Sequence, residues 1–247
     1  MKQVVLVTLI MLATQLFAQS VIPAGTILPV ALNSSLNSRK TRSGEVITAR
    51  VMQDVPLPAG SKIRAGAKII GHVVEVRPAS NAATAEISLR FDTLATGKRR
   101  IPLVANLRAL ATMMEVSEAQ VPESGPDRGT SEYIWTTDQI GGEVDYHGAM
   151  VAHESDIVGH SVPNGVLVRL SSKRGTECRG VVDGNDESQA LWVFSSDACG
   201  LYGFPDVILT HAGRTDPVGK ITLLSNRGNL NIQAGSGMLL RVNNNTP

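Results

Sequence analysis

The stretch VIPAGTILPV at residues 21–30 decides our expectation for the fold, because its pattern recurs along the chain. Residues 57–63 repeat it as LPAGSKI, and weaker echoes follow as VPNGVLV at 162–168 and IQAGSGML at 232–239. Each copy is an apolar residue, then a turn, then an apolar run. In the first two copies we expect Pro at the second turn position, where its φ is preset, and Gly at the fourth. The pattern predicts the repeating unit of an all-β fold.

The segments between these copies alternate in hydropathy as strands do. In residues 85–93, Ala85, Ile87, Leu89 and Phe91 face one way, which is typical of a half-buried antiparallel strand. Further strands are predicted at 45–55, 68–77, 100–110, 165–170, 190–195, 206–211, 220–224 and 237–242. Strands about every ten residues, separated by short turns, predict a barrel or sandwich of antiparallel strands. Only residues 105–119 have a helical alternative.

Four segments divide the chain. Residues 1–18 have a positive start at Lys2, an apolar run too short to span a bilayer stably, and a small residue at Ala18, so we expect a signal peptide and no transmembrane helix after its cleavage. Residues 19–111 form the first β domain, and the polar, turn-rich residues 112–132 form a linker or long loop. Residues 133–247 form a second β-rich region.

The last predicted strand, 237–242, repeats the opening phrase. We expect two sequential domains, and the alternative is that this strand returns to the first sheet and closes it, which would make the middle of the chain a long insertion. Export places the mature protein in the periplasm or at the outer membrane, or outside the cell.

The charge balance argues against nucleic acid as a partner. The formal net charge is +1, so nothing attracts the chain strongly to nucleic acid or to an anionic membrane. The basic segments 39–42 and 98–100 are interpreted as solvated hairpin tips. No aromatic residue is interleaved with them, as binding of single-stranded nucleic acid would need. We expect no nucleic-acid partner.

The only two cysteines, Cys178 and Cys199, follow the signal segment. In an oxidising compartment such a pair predicts a disulfide, worth roughly 3 kcal/mol on the chain-entropy model. A metal site and a catalytic thiol are the alternatives.

The second half of the chain holds nearly all of the aromatic residues. Candidate binding residues are Trp135, Trp192, Phe194, Tyr202 and Phe204. One interpretation is a core cluster around the disulfide. The other is a platform that stacks sugars or binds a partner protein.

Three histidines, His147, His153 and His160, are the candidate metal ligands. Their spacings are too long for the helical zinc-peptidase pattern, although they would converge if the residues lay on neighbouring hairpins. The acidic run 183–187 lacks the loop pattern of a calcium site and is interpreted as a turn.

Nucleophilic catalysis has little support in the sequence. A Gly-x-Ser-x-Gly motif is absent, and Gly235-Ser236-Gly237 opens a predicted strand. His211 with Asp206 or Asp216 would supply a base and its orienting acid. We expect no enzymatic activity, no metal and no cofactor, with a metal-dependent hydrolase built on the three histidines as an alternative.

Residues 21–103 resemble the periplasmic C-terminal domain of TrbI-type subunits of type IV secretion and conjugation channels, and related small exported bacterial proteins. The match rests on IPAGTILPV at 22–30, LNSSLNS at 32–38, ITARVMQDV at 47–55, PAGSKI at 58–63 and IGH at 70–72. The resemblance implies a β-barrel-like domain that assembles as a ring at the outer membrane.

The function expected from the sequence is that of a non-enzymatic, exported cell-envelope protein with an assembly or binding role. Its partners would be envelope proteins or cell-wall glycan. A glycan- or peptidoglycan-binding module that uses the second-half aromatics is the first alternative. The oligomeric state stays open.

Overall fold

The computed structural model describes residues 21–81, 83–120, 135–147, 150–153, 156–162, 165–169, 188–195 and 198–243. The predicted signal peptide, residues 1–18, lies outside these ranges. Within them, no helix combines the length and apolar character that crossing a bilayer requires.

Strands dominate the described residues, so the all-β prediction is confirmed. In chain order they are β1 (Ile27–Leu32), β2 (Leu36–Asn37), β3 (Val46–Val51), β4 (Val55–Pro56), β5 (Lys62–Ile63), β6 (Lys68–Arg77), β7 (Ala85–Thr96), β8 (Arg99–Pro102), β9 (Ala105–Ala111), β10 (Trp135–Gln139), β11 (Gly142–His147), β12 (Met150–His153), β13 (Asp156–Val162), β14 (Gly165–Arg169), β15 (Ser188–Ala190), β16 (Gly200–Tyr202), β17 (Val207–His211), β18 (Ile221–Ser225), β19 (Asn231–Ile232) and β20 (Gly237–Val242). The described helices are a 3-10 turn at Pro58–Gly60 and α1 (Met113–Glu118).

Ten strands form one sheet that curls into a nearly closed barrel. The order is β16-β9-β20-β1-β3-β6-β7-β18-β17, and β8 pairs with β7 beside this path. Only the β16–β9 pair is parallel among these ten strands. The two ends of the path approach each other where Leu107 N donates to Ala212 O, just after β17, at 2.9 Å.

The last strand, β20, lies between β1 and β9. Residues 200–243 therefore contribute β16, β17, β18 and β20 to the same sheet as residues 27–111.

The barrel interior is filled by alternate side chains of its strands. On β7, Ala85, Ile87, Leu89 and Phe91 are fully buried in this core, as the alternation predicts. Glu86 and Ser88, on the other face of β7, are also covered, because Arg77 pairs with Glu86 at 2.7 Å and Ser88 hydrogen-bonds Thr222 at 2.8 Å.

A second apolar cluster covers the outside of β1, β20 and β9. Leu28 and Val30 of β1 point into the barrel, whereas Ile27 and Ala31 point outward and pack in a cluster with Phe194. Both faces of β1 are therefore buried.

A six-stranded antiparallel meander, β10 to β15 in sequential order, is inserted between α1 and β16. Its first hairpin is tied to the segment after β15. Ile140 N donates to Val193 O at 2.9 Å, and Ser195 N donates to Ile140 O at 3.0 Å.

The turns that start three barrel strands share one geometry. Thr26 N bonds Pro23 O at 3.2 Å, and Gly25 takes φ +88°. The same i→i+3 bond and a Gly with φ of +84° or +89° recur at residues 64–67 and 233–236, each just before a strand. A positive φ at the third position defines a type II turn and requires glycine. The prediction of Pro second and Gly fourth was thus wrong by one position in the first copy.

Other predicted boundaries also shift. The predicted strand 100–110 breaks into β8 and β9, and the predicted strand 190–195 ends at Ala190 because the chain turns at Trp192, whose φ is +54°. Residues 112–120 of the predicted linker hold α1, which Thr112 caps by accepting a bond from Glu115 N at 3.3 Å.

Candidate functional site

A groove of about 820 Å³ lies at one end of the barrel. We call it the basic groove. Its lining combines five cationic side chains with aliphatic ones and contains no Asp or Glu. The cations are Lys62, Arg64, Lys68, Arg99 and Arg100, and the aliphatic residues include Val21, Ile22, Leu57, Ile63, Ile70 and Ile101.

Two tight connections carry four of the five cations of the groove. The type II turn at residues 64–67 links β5 to β6 and presents Arg64 and Lys68 as exposed residues. The β7–β8 hairpin turns at Gly97 and presents Arg99 and Arg100 in the same way. The groove is therefore built on strand ends of the barrel rather than on a long loop.

The strand register places further cations in a row across the outer face of the barrel sheet. Lys68 of β6 is paired with Arg50 of β3 on one side and with Ala95 of β7 on the other, and Ala95 is paired with Arg100 of β8. Paired residues of an antiparallel sheet point to the same face. Arg50, Lys68 and Arg100, which we call the cationic row, thus share one face across four strands.

Arg50 and Lys68 form the closest kind of cross-strand pair. The neighbouring bond from Val51 N to Ala67 O, at 2.8 Å, makes theirs a non-hydrogen-bonded pair. In such pairs the Cα atoms are about 4.5 Å apart, and like charges placed directly opposite are destabilising. In the part of the chain that the structure describes, no salt bridge compensates either residue.

One carboxylate lies beside the groove. Asp54 pairs with Lys62 and accepts a hydrogen bond from Ala65 N at 2.9 Å. The Lys62 hydrogen bond and then the Ala65 bond lower the pKa of Asp54 below its ordinary value of 3.8. Asp54 therefore stays ionised and neutralises Lys62, while none of the salt bridges between described residues involves Arg64, Lys68, Arg99 or Arg100.

The aliphatic residues give the basic groove an apolar floor and lip. Ile22 and Ile63 are buried beneath it, at 4% and 3% exposure, whereas Val21 is 64% exposed. An isolated hydrophobic side chain on a surface needs no explanation, but an apolar floor beside several charged side chains has the mixed composition of a binding site. The arrangement can hold a ligand that carries both carboxylate or other anionic groups and apolar groups.

The aromatic residues predicted as a platform lie elsewhere. Trp192 is 4% exposed and Phe194 is fully buried, both in the cluster outside β1. Neither ring is open for stacking on a sugar, so the core-cluster interpretation describes these two residues. The side chain of Trp135 lies outside what the structure describes.

Tyr202 and Phe204 pack against different clusters. Tyr202 packs against the outer cluster with Trp192 and Phe194, and Phe204 packs against the barrel core. The Tyr202 hydroxyl accepts a bond from Cys199 N at 2.8 Å and donates to Cys199 O at 2.9 Å. Tyr202 thus clamps the backbone at Cys199. Cys178 lies outside the described residues, so the disulfide stays a prediction.

The predicted metal ligands fall on the meander. His147, His153 and His160 lie on β11, β12 and β13, and Met150 is paired with both His147 and His160. Their side chains lie outside what is described, and the acidic run 183–187 does so entirely. Among the described side chains, no three His, Cys, Asp or Glu residues come close enough to hold a metal ion.

His211 is not oriented by a carboxylate. Its Nδ1 accepts a bond from Gly213 N at 2.9 Å, and its Nε2 lies 3.2 Å from Thr215 Oγ1 and 3.4 Å from the backbone oxygen of Asp216. Asp206 instead faces Arg227 at 3.8 Å. Ser236 is buried, and no described hydrogen bond links it to His211. His211 therefore stabilises a turn, and these residues do not form a triad.

Comparison with known proteins gives no relative, because no family model, no curated protein and no solved structure matches this chain.

The basic groove was missed by sequence reasoning. Lys98 does lie in a hairpin turn, as predicted, but Arg99 and Arg100 begin β8 and share a groove with KIRAGAK at 62–68. The available signal was the third Ala-Gly turn at residues 64–67, which is flanked by cations and was not identified as a copy of the opening phrase.

Proposed function

We propose that this chain is a non-enzymatic, exported envelope protein that binds a partner through the basic groove. The observation that carries the proposal is the groove itself, an apolar floor framed by five cations, of which only Lys62 has a salt-bridge partner among the described residues. Such a surface suits recognition, because opposite charge steers a partner and apolar burial holds it.

Export rests on the signal-peptide pattern of residues 1–18, and the envelope role rests on the resemblance of residues 21–103 to the TrbI-type barrel domain. A disulfide between Cys178 and Cys199 belongs to the same proposal, because it would fasten the end of the meander beside the Tyr202 clamp. Labelling the unreduced, denatured protein with a thiol reagent tests the disulfide, which is excluded if two labels are added.

Light scattering on the mature protein, beside chemical cross-linking in intact cells, tests the assembly role. Cross-links to other envelope proteins, or a mass of several protomers, are expected. A monomer that yields no envelope cross-links would contradict the proposal.

A further inference from the structure

The cationic row is the strongest unexplained feature of the described surface. A protein that needed only stability would place opposite charges at facing positions of a sheet, because such pairs stabilise it. Here Arg50 faces Lys68, and Arg100 follows one strand beyond Ala95. Local rules of this kind are typically broken at functional sites, and a ligand of opposite charge would offset the repulsion between these cations.

The spacing of the row defines the shape of that ligand. Adjacent strands are about 4.8 Å apart, so the three steps from β3 to β8 span about 14 Å. Charges spread over that length suit a linear anion better than one compact headgroup. An extended peptide rises about 3.3 Å per residue and points alternate side chains to one side, so about five residues would cover the row.

The floor of the basic groove adds the second requirement. Ile70 and Ile101 are half-buried, and Leu57 packs against the barrel core from the groove side. A purely polar anion, such as an acidic glycan, would leave the exposed parts of these side chains without an apolar partner. A chain that alternates acidic with apolar side chains satisfies both the row and the floor.

The edge of β8 settles how such a chain would lie. Leu103 N donates to Asp92 O of β7 at 2.8 Å. Backbone groups of successive strand residues point to opposite sides, so the backbone nitrogen of Pro102 points away from β7, toward the open edge of β8. Proline has no N–H to donate, and proline on an edge strand blocks the addition of another strand. The ligand would therefore cross the strands along the row rather than extend the sheet beside β8.

We infer that the basic groove and the cationic row bind an extended segment of a partner protein in which acidic and apolar residues alternate. This inference rests on the proposed function, since it names the partner chemistry of the same groove.

Fluorescence anisotropy with a labelled peptide of about eight residues that alternates Glu and Val is the direct test. Two further peptides are matched to it, one alternating Glu with Ser and one alternating Lys with Val. We expect the mature protein to bind the Glu–Val peptide at least about tenfold more tightly than either. Affinity should fall as salt rises, because the cations are exposed.

The matched variants are two charge reversals of equal size. The pair Lys68→Glu and Arg100→Glu alters the row, whereas Arg39→Glu and Lys40→Glu alters an exposed basic turn beyond the opposite end of β3. The first pair should weaken binding about tenfold or more, and the second should change it less than twofold. The conservative Lys68→Arg should bind as the wild type does.

Three results would overturn the inference: equal binding of the Glu–Ser peptide, equal loss in both reversal pairs, or binding only to vesicles of anionic phospholipid. Cross-linking in cells separates this failure from failure of the proposed function. Envelope cross-links without Glu–Val binding would refute only the partner chemistry, whereas loss of both would refute the function as well.

Discussion

Arg50 and Lys68 face each other directly across the β3–β6 ladder, and no carboxylate forms a salt bridge with either among the described residues. This like-charge contact carries an energetic cost that the folded chain does not offset locally. Removing this repulsion should therefore change the stability of the fold, independently of any ligand.

Lys68→Glu should stabilise the protein. The substitution turns a repulsive cross-strand pair into an attractive one, so the free energy of unfolding should rise by about 0.5 kcal/mol in low salt. Urea titration measures this, with Lys40→Glu as the control for a change of net charge. The double variant Arg50→Glu and Lys68→Glu restores like charges and should lose the gain, and a coupling energy of zero in this cycle would contradict the close contact.

Asp54 should make stability depend on pH on the acid side. Its folded pKa lies below the ordinary value of 3.8, so the folded state binds fewer protons there than the unfolded state. The stabilisation is fully present above the unfolded pKa and is lost as pH falls through the folded pKa. Because both partners are substantially exposed, the effect should be small.

Asp54→Asn should remove that contribution. Urea midpoints of the variant and the wild type should differ most above about pH 4 and converge toward lower pH. A constant difference at every pH would mean that ionisation of Asp54 has no part in it.

Two glycines near the groove should respond differently to alanine. Gly66 has φ +84° and open space around its added Cβ, so only backbone strain opposes the change, at about 1 kcal/mol. A Cβ on Gly71 would collide with the carbonyl oxygen of Arg90 on β7, so the ladder must move. We expect Gly71→Ala to cost about 3 kcal/mol. Thermal unfolding of the two variants measures their stabilities. Equal losses of stability would show that the β6 and β7 backbones are not as closely packed at Gly71 as the structure indicates.

Trp192→Ala should act on folding and not on sugar binding. Removing a buried aromatic side chain from the cluster outside β1 should cost about 3–5 kcal/mol. Chemical denaturation measures the loss, and pull-down on purified sacculi, at conditions where both proteins are folded, measures glycan binding. Lost pull-down with unchanged stability would restore the glycan-platform interpretation.

The sequence predicts the barrel strands well where apolar and polar residues alternate or where the opening phrase recurs. Period-two alternation identified β7 through Ile87 and Phe91, and the repeated phrase pointed to a last strand at Gly237–Val242, which is where β20 lies against β1. Prediction was poorer at 190–195, because the residues around Trp192 are apolar since they form a buried turn, not since they form a strand. That turn packs outside the barrel, with a positive φ that the sequence does not reveal.

The candidate site could not be predicted, because it depends on register. Arg50, Lys68 and Arg100 are scattered through the sequence, and a one-residue slip in either ladder would place them on opposite faces. Burial of Trp192 and Phe194 likewise depends on tertiary packing. Aromatic content alone therefore does not distinguish an exposed platform from a buried cluster.

Site-specific photo-cross-linking in intact cells tests the central claim most directly. A photoreactive residue would replace Ala65, which is exposed at the basic groove, and in a second strain Lys40, which is exposed in the turn beyond the opposite end of β3. We expect a discrete cross-linked envelope protein from position 65 and none from position 40, and we expect the product to be lost when Lys68→Glu and Arg100→Glu are added. No product from position 65, or the same product from both positions, would contradict it.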